Sequence, residues 1–156
     1  MTQKEYRETN GISRSELWKI EKSPLHFKWA QEHPDNDSKA LLFGRAVHKA
    51  ILEPNDFSSE FVILPKLNLR TAEGRNQQEI LLANNSGKEP VSQDDYNVIT
   101  EMAQAVHQHE IAAALLSGSV EQSFFWVDDL TGEKCKCRTD CITEWNGEKY
   151  IVDYKT

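Results

Sequence analysis

The sequence has no long apolar run, few cysteines and no glycine-rich loop of the nucleotide-binding type. A helix that spans a bilayer needs about 20 consecutive apolar residues, and no stretch approaches that length. Met1–Asn10 is polar throughout, which is not the pattern of a secretory signal. The sequence also has no internal repeat and no nucleophile elbow. We therefore expect a cytoplasmic protein without a membrane partner.

The three cysteines lie close together in one segment, at Cys135, Cys137 and Cys141. In a strand these odd-numbered positions share one face, but Cys135 and Cys141 are then about 20 Å apart, too far for one tetrahedral zinc ion. No Cys-x-x-Cys or paired histidine spacing supports zinc. An iron–sulfur cluster of the kind used in CRISPR adaptation is a further hypothesis, but it needs four cysteines. We expect free thiols on the inner face of a sheet, in a reducing compartment.

The chain has 156 residues, with 38% hydrophobic and 28% charged, as in an ordinary globular domain. One domain over residues 1–156 is the expectation. The net charge is −7, but it is unevenly distributed. Residues 1–75 include 12 basic and 11 acidic residues, whereas residues 76–156 include 6 basic and 14 acidic residues. Contacts to DNA phosphates would therefore come from the first half. Candidates there are Lys19, Lys22, Lys28, Arg45 and Lys49.

The first half of the chain carries helix signals. Ser13–Glu16 is a capping box, and the helix after it is bounded by Pro24, or a second short helix begins there. After a predicted loop at His33–Ser38, Lys39–Leu52 has the broad apolar face of a packed helix. Taken alone, His48 on this helix is expected to be a partly buried structural histidine.

The second half turns from helix to strand. Glu60–Leu64 is predicted as a strand and Asn68–Asn76 as a loop. Ser92 caps a helix that is expected to continue through Leu115 and to close at Gly118. Strands follow from there, so the predicted fold class is α/β (α+β), with N-terminal helices and a mixed sheet that includes an antiparallel meander.

The most informative stretch is the hairpin at the end of the chain. Asn146-Gly147 is the strongest short signal for a two-residue hairpin turn, because both turn residues need positive φ. Counting down the ladder sets Asp140 opposite Asp153, and Arg138 opposite Lys155. Two carboxylates facing each other across a ladder are destabilising unless a charge neutralises them, and a divalent cation would do so.

The preceding strand adds a third carboxylate. Glu121–Asp128 is aromatic and is followed by a four-residue polar turn, which sets Glu121 opposite Asp140. A bulge would shift this register and turn Glu121 to the other face. An alternative interpretation keeps Asp153 and Lys155 on a solvated hairpin face with a cross-strand salt-bridge pattern.

Together, Gly44-x-x-x-His48, Glu121, Asp140 and Asp153-Tyr154-Lys155 resemble the PD-(D/E)xK nuclease superfamily. Within it, the chain is most similar to the exonuclease VIII-like (RecE-type) group of phages and prophages. The resemblance covers nearly the whole chain. Three stretches carry it: Gly44–Pro54 with Phe57–Pro65, Leu69–Thr71 with Gly74, and Phe125–Lys155.

The resemblance implies a restriction-endonuclease-like core and a Mg²⁺-dependent exodeoxyribonuclease, with Mn²⁺ as an alternative, that degrades one strand of linear duplex DNA in recombination. Asp140 and Asp153 would be metal ligands, with the carbonyl of Tyr154 as another. His48 and Glu121 would complete or support the metal sites, and Lys155 would orient the attacking water. Catalysis is thus assigned to Lys155, Glu121 and Asp153. Arg138, on the same predicted face, is a candidate for phosphate contact beside Arg45 and Lys49. Implied partners are duplex DNA ends, a single-strand annealing protein and further copies of the chain.

The chain departs from the resembled pattern at its end. That family continues past its Asp-x-Lys motif with a helix and further strands, whereas this sequence stops at Thr156. The expectation is a core that lacks its C-terminal elements. An alternative function follows: a catalytically impaired nuclease remnant that binds DNA or a recombination partner.

Overall fold

The computed structural model describes residues 1–33 and 38–155, so most of the predicted loop at His33–Ser38 lies outside the described residues. The helices are α1 (Gln3–Glu8), α2 (Arg14–Lys22), α3 (Pro24–Glu32), α4 (Lys39–Leu52), α5 (Phe57–Glu60), α6 (Ala72–Asn84), α7 (Gln93–Gln108) and α8 (Glu110–Leu115). The strands are β1 (Phe61–Leu64), β2 (Glu89–Ser92), β3 (Ser119–Val127), β4 (Lys134–Trp145) and β5 (Glu148–Val152). None of the described helices is both long enough and apolar enough to cross a membrane.

The predicted fold class is confirmed: helices come first and an antiparallel meander of β3, β4 and β5 comes last. The parallel and antiparallel pairings lie in two separate sheets, because β1 pairs only with β2 among the described strands. The three cysteines are free thiols, as predicted, and of these Cys141 is buried while the other two are half-buried.

The core forms where α4 packs against α7 and the parallel strand pair. Ser38 caps α4 by accepting a hydrogen bond from the Leu41 N–H at 3.2 Å, and the helix ends at Leu52, before Pro54. Its apolar face buries Val47 and Ile51 against Ile99 of α7. Each such side chain contributes about 1.5–3 kcal/mol when fully buried. This packing fixes α4 and, with it, the direction in which His48 points.

Three boundaries differ from the sequence predictions. The loop predicted at Asn68–Asn76 is wrong from Ala72 onward, because Thr71 Oγ1 accepts from the Gly74 N–H at 3.1 Å and starts α6. The long helix predicted to reach Leu115 is broken, because His109 ends α7 and its ring accepts from the Ala112 N–H to cap α8. Glu60 belongs to α5 rather than to β1. The helix predicted to start at the Ser13 capping box is confirmed as α2, and α3 begins at Pro24.

The Asn146-Gly147 hairpin is confirmed, with φ of 53° and 78° at the two turn residues. Its ladder runs from Trp145 opposite Glu148 to Cys141 opposite Val152, in the predicted register. The ladder stops there, so the pairings predicted for Asp140 with Asp153 and for Arg138 with Lys155 do not form. The physical reason is local: the Tyr154 N–H donates to the Asp140 carboxylate at 2.6 Å instead of to a strand backbone.

The register between β3 and β4 is also the predicted one. Val127 faces Lys134 and Gln122 faces Thr139. Glu121 has φ of 54° and interrupts the ladder, which resumes with Val120 opposite Cys141. The register therefore does not slip, although the strand is distorted at one point.

Candidate metal centre

Three side chains from three elements meet in a cleft: His48 of α4, Glu121 of β3 and Asp140 of β4. One ligand atom from each lies within 4.8 Å of the others, and all three residues are half-buried. The packing of α4 places the histidine, and the shared β3–β4 register places the two carboxylates. The structure thus brings together three of the metal-ligating residues predicted from the sequence.

Asp140 is held from two directions. Its Oδ2 lies 3.9 Å from His48 Nδ1, and it accepts the backbone N–H of Tyr154 at 2.6 Å. The His48 ring also meets the Tyr154 ring edge-on, with centroids 5.3 Å apart. A hydrogen-bonded carboxylate loses rotational freedom, so Asp140 is oriented before any ligand arrives. Tyr154 therefore takes part in the site through its N–H and its ring.

Glu121 is the strained member of the cluster. Its positive φ is unusual for a residue other than glycine, asparagine or aspartate, and such strain concentrates at functional sites. Its carboxylate forms an ion pair with Arg138 Nε. The same guanidinium donates to Ser123 Oγ at 2.8 Å and to the Met1 carbonyl at 3.2 Å. Arg138 thus holds the Glu121 carboxylate from the side.

The donor set fits a divalent cation. Two carboxylates and one imidazole supply oxygen and nitrogen ligands, which suit Mg²⁺ or Mn²⁺ when solvent completes the coordination. Two carboxylates this close repel each other, and a single guanidinium offsets only part of their charge. His48, Glu121 and Asp140 are the residues that would hold the ion.

Asp153 is not one of these three clustered ligands, but its side chain lies within hydrogen-bond contact of Asp140, and Lys155 pairs with Asp153. Lys155 Nζ is 2.7 Å from Asp153 Oδ2, and the two side chains are 72% and 60% exposed. The hydrogen bond from Lys155 holds the pKa of Asp153 below its usual value. The pair is solvated, as in the alternative interpretation, but it joins two neighbouring residues after β5 rather than residues on two strands.

The two predicted DNA contacts on α4 line the same cleft but are engaged with carboxylates. Arg45 pairs with Glu89 of β2. Lys49 Nζ lies 2.8 Å from Glu53 and 2.6 Å from Glu60. Burial alone would lower the pKa of Lys49, but its hydrogen bonds to Glu53 and Glu60 outweigh this and raise it. Lys49 therefore ties α4 to α5.

The cleft has a volume of about 940 Å³ and is lined partly by residues that sequence analysis did not single out. Ser123 does not line the cleft but supports it by accepting from Arg138, and it could have been found because it lies two residues from Glu121 along β3. Met1 and Tyr6 carry no comparable signal, since only tertiary packing brings α1 to the site.

A family profile described as "PDDEXK-like domain of unknown function (DUF3799)" matches residues 13–156 of the chain. The chain belongs to this family. A search of curated proteins finds no significant match. Membership in a PDDEXK-like family points to a nuclease-type function that uses a divalent metal. The cluster of His48, Glu121 and Asp140 supplies side chains that could hold such a metal.

Proposed function

We propose that this PDDEXK-like domain is a Mg²⁺- or Mn²⁺-dependent deoxyribonuclease that shortens one strand of linear duplex DNA from an end. The observation that carries the proposal is the meeting of His48, Glu121 and Asp140 within 4.8 Å at a cleft. Family membership supplies the reaction class, and the sequence resemblance supplies the preference for DNA ends.

Each residue has a role in phosphodiester hydrolysis. A divalent cation held here would lower the pKa of a bound water and neutralise charge on the phosphate. Asp140 and Glu121 provide the negative charge that retains it, and His48 adds a neutral ligand. Arg138 is placed beside this cluster, where its guanidinium can pair with a phosphate oxygen as well as with Glu121.

Asp153 and Lys155 enter the proposal through a local rearrangement. They directly follow β5, and Tyr154 between them is already bonded to Asp140. Opening the exposed ion pair would cost little, because surface pairs contribute about 0–1 kcal/mol. Asp153 would then join the ligands, and Lys155 would orient the attacking water.

The exposed pair also favours a second candidate function. If Asp153 and Lys155 stay paired with each other, the chain keeps a cation site without the lysine that chemistry needs. It would then act as a module that binds DNA or a recombination partner. In the nuclease proposal, the protein acts in phage or prophage recombination, with a strand-annealing protein or further copies of the chain as partners.

The test is digestion of end-labelled linear duplex DNA with Mg²⁺ or Mn²⁺, beside an EDTA control. Asp140→Asn keeps an oxygen that can accept the Tyr154 N–H but removes the charge, so it should abolish shortening. Asp129→Asn, in the exposed turn before β4, is the matched control and should digest normally. If the wild type binds Mn²⁺ but shortens no DNA, the nuclease proposal is wrong and the binding module is favoured.

A further inference from the structure

Helices α2 and α3 form a helical hairpin, residues 13–33, that packs mainly on itself. Neither helix contains a buried residue. The two helices contact each other more extensively than either contacts any other described element. The helical hairpin therefore offers much of its surface to solvent.

The chain before the helical hairpin fixes where it begins. Lys136 of β4 is 8% exposed, and its ammonium donates to the carbonyls of Tyr6, Arg7 and Thr9 at 3.2, 3.2 and 2.6 Å. Ile12 then pairs with the same strand and accepts from the Lys136 N–H at 3.0 Å. Helix α2 therefore starts two residues after a segment that is attached to β4.

This attachment places the start of α2 beside the metal centre. Ile12 lies on the edge of β4 from which β5 separates after Val152, since β3 occupies the other edge. Asp153 follows there directly. Its pKa is lowered mainly by the hydrogen bond from Lys155, and the positive charge of Arg14 contributes to the same shift. Arg14, the first residue of α2, therefore lies near Asp153.

Two indole rings lie on the exposed side of the helical hairpin. Trp18 of α2 is 58% exposed and Trp29 of α3 is 53% exposed, although the burial of an indole is strongly favourable. Each ring has a planar neighbour on one face. The Arg14 guanidinium lies 4.3 Å from the centroid of the Trp18 ring, and the His33 ring stacks on Trp29 at 4.6 Å and 10°. Because more than half of each indole side chain is exposed, the opposite face of each ring is open to a ligand.

Exposed cations flank these rings. They are Arg14, Lys22 and Lys28, against two exposed carboxylates, Glu21 and Glu32. Arg14 and Lys22 each lie four residues from the indole of α2 and so share its helix face, and Lys28 adjoins the indole of α3. Residues 13–33 carry four basic and three acidic side chains, whereas the chain has 18 and 25. The helical hairpin is therefore net positive in a chain that is acidic as a whole.

This combination of rings and cations fits an unpaired nucleic acid strand. Unpaired bases stack on open aromatic faces, while lysine and arginine side chains contact the phosphates. In a duplex the base faces are already stacked on each other, so exposed indoles do not reach them. An apolar protein surface would cover the cations beside the indoles and leave them without partners, which is costly. Charge and ring exposure together favour the single strand.

We propose that the exposed side of the helical hairpin binds an unpaired strand of DNA, with its two indoles stacking on bases and its exposed cations contacting phosphates. No residue of either helix lines the metal cleft, so this surface is a separate binding site. Binding there needs no metal ion. The choice of DNA over RNA rests on the proposed nuclease function, whereas the stacking does not.

Fluorescence anisotropy of labelled oligo(dT) in EDTA tests the site without cleavage. Trp18→Ala and Trp29→Ala remove the indoles at exposed helix positions, where alanine is well tolerated. Trp126→Ala is the matched control for loss of a ring, since this indole is 49% exposed on β3. Leu25→Ala is the matched control for apolar contact, since this side chain is 77% exposed on α3.

Each variant of the two helical tryptophans should bind oligo(dT) roughly tenfold more weakly and a blunt duplex within about twofold of the wild type. Both controls should bind oligo(dT) within about twofold of the wild type. Lys22→Gln should reduce the slope of log affinity against log salt by about 0.7, the value for one phosphate contact on a single strand. Photocrosslinking of a bromouracil-substituted strand should label peptides that contain Trp18 or Trp29, and this readout needs no variant to fold.

The inference is wrong if the wild type does not bind oligo(dT), or if neither helical tryptophan variant binds it more weakly. Equal weakening by Leu25→Ala would indicate apolar docking of a protein and would also overturn it. Tighter binding of oligo(U) than of oligo(dT) would overturn the choice of DNA. Because these measurements contain no metal, the nuclease proposal is judged separately, by the digestion assay.

Discussion

Arg138 forms an ion pair with Glu121, so one carboxylate of the candidate metal centre is shared with a neighbouring guanidinium. Both side chains are mostly buried, with 11% and 20% exposed. A cation entering the cluster would compete with the guanidinium for Glu121. Arg138 therefore links the affinity of the site for metal to its capacity for contacting phosphate.

Arg138→Gln should bind Mn²⁺ more tightly and cleave DNA more slowly. Removing the guanidinium takes away a competing charge-assisted hydrogen bond. Such a bond contributes about 1.5–3 kcal/mol, so the affinity for Mn²⁺ should rise by roughly tenfold or more. Isothermal titration calorimetry measures the affinity, and initial rates on labelled DNA measure cleavage. Ser123→Ala, which removes one hydrogen bond to Arg138 and keeps its charge, is the control. Weaker Mn²⁺ binding in Arg138→Gln would show that Arg138 supports the site rather than competing for it.

Lys155→Met should reduce cleavage by at least about 100-fold and leave Mn²⁺ affinity within about threefold of the wild type. The lysine is exposed and outside the ligand cluster, so it does not hold the ion. Lys149→Met on β5 is the control, because Lys149 is an exposed lysine facing Glu144 away from the cleft. Normal cleavage by Lys155→Met would exclude the proposed role in orienting water.

The protein should become less stable in acid because an interaction at the start of α7 is lost there. The Ser92 hydroxyl, and then Lys39, hold the pKa of Asp95 below its usual value of 3.8. A depressed pKa means that this stabilisation is present above the unfolded pKa and is lost as pH falls through the folded pKa. Ser92→Ala should lower the free energy of unfolding by about 1 kcal/mol at pH 7, because it also removes the helix cap.

Urea unfolding of the wild type and Ser92→Ala at neutral and acidic pH measures this difference. The difference in free energy of unfolding between the two proteins should become smaller as the pH falls below the usual pKa range of an aspartate. A difference that does not change with pH would mean that the charge of Asp95 does not contribute to stability.

Cys141 should resist alkylation under conditions that modify Cys135 and Cys137. Burial raises the pKa of the Cys141 thiol, and its side chain is fully buried, with Sγ 3.5 Å from the Leu115 carbonyl. The other two thiols are half-buried. Iodoacetamide labelling of the native protein followed by peptide mass spectrometry tests the order, and labelling in urea is the control. Equal native labelling of all three thiols would contradict the packing of α8 on β4.

The parts of the site that local signals determine were predictable from the sequence. Asn146-Gly147 determines a turn by backbone sterics, and counting from it and from the preceding turn gives the registers that bring Glu121 and Asp140 together. The strain at Glu121 was not predictable, because nothing in its neighbours requires a positive φ. The end of the β4–β5 ladder depends on one hydrogen bond, from Tyr154 to Asp140, and this also has no sequence signal.

Long-range packing and one unusual helix cap account for the rest. Lys136 has the sequence pattern of an ordinary exposed strand lysine, and only the tertiary placement of α1 buries it. His109 is not among the preferred capping residues, so the break between α7 and α8 was missed. The Lys136 contacts are long-range, whereas the His109 cap is a local contact made by a residue type that seldom caps helices.

The unbroken register on both sides of Glu121 has a consequence for how this site can vary. Between the turn at Asp128 and Glu121, the backbone register sets how the two carboxylates lie relative to each other. A single residue gained or lost in that interval would carry Glu121 to the opposite face of the sheet. An odd change in the length of β3 should therefore damage the site more than most substitutions along the strand.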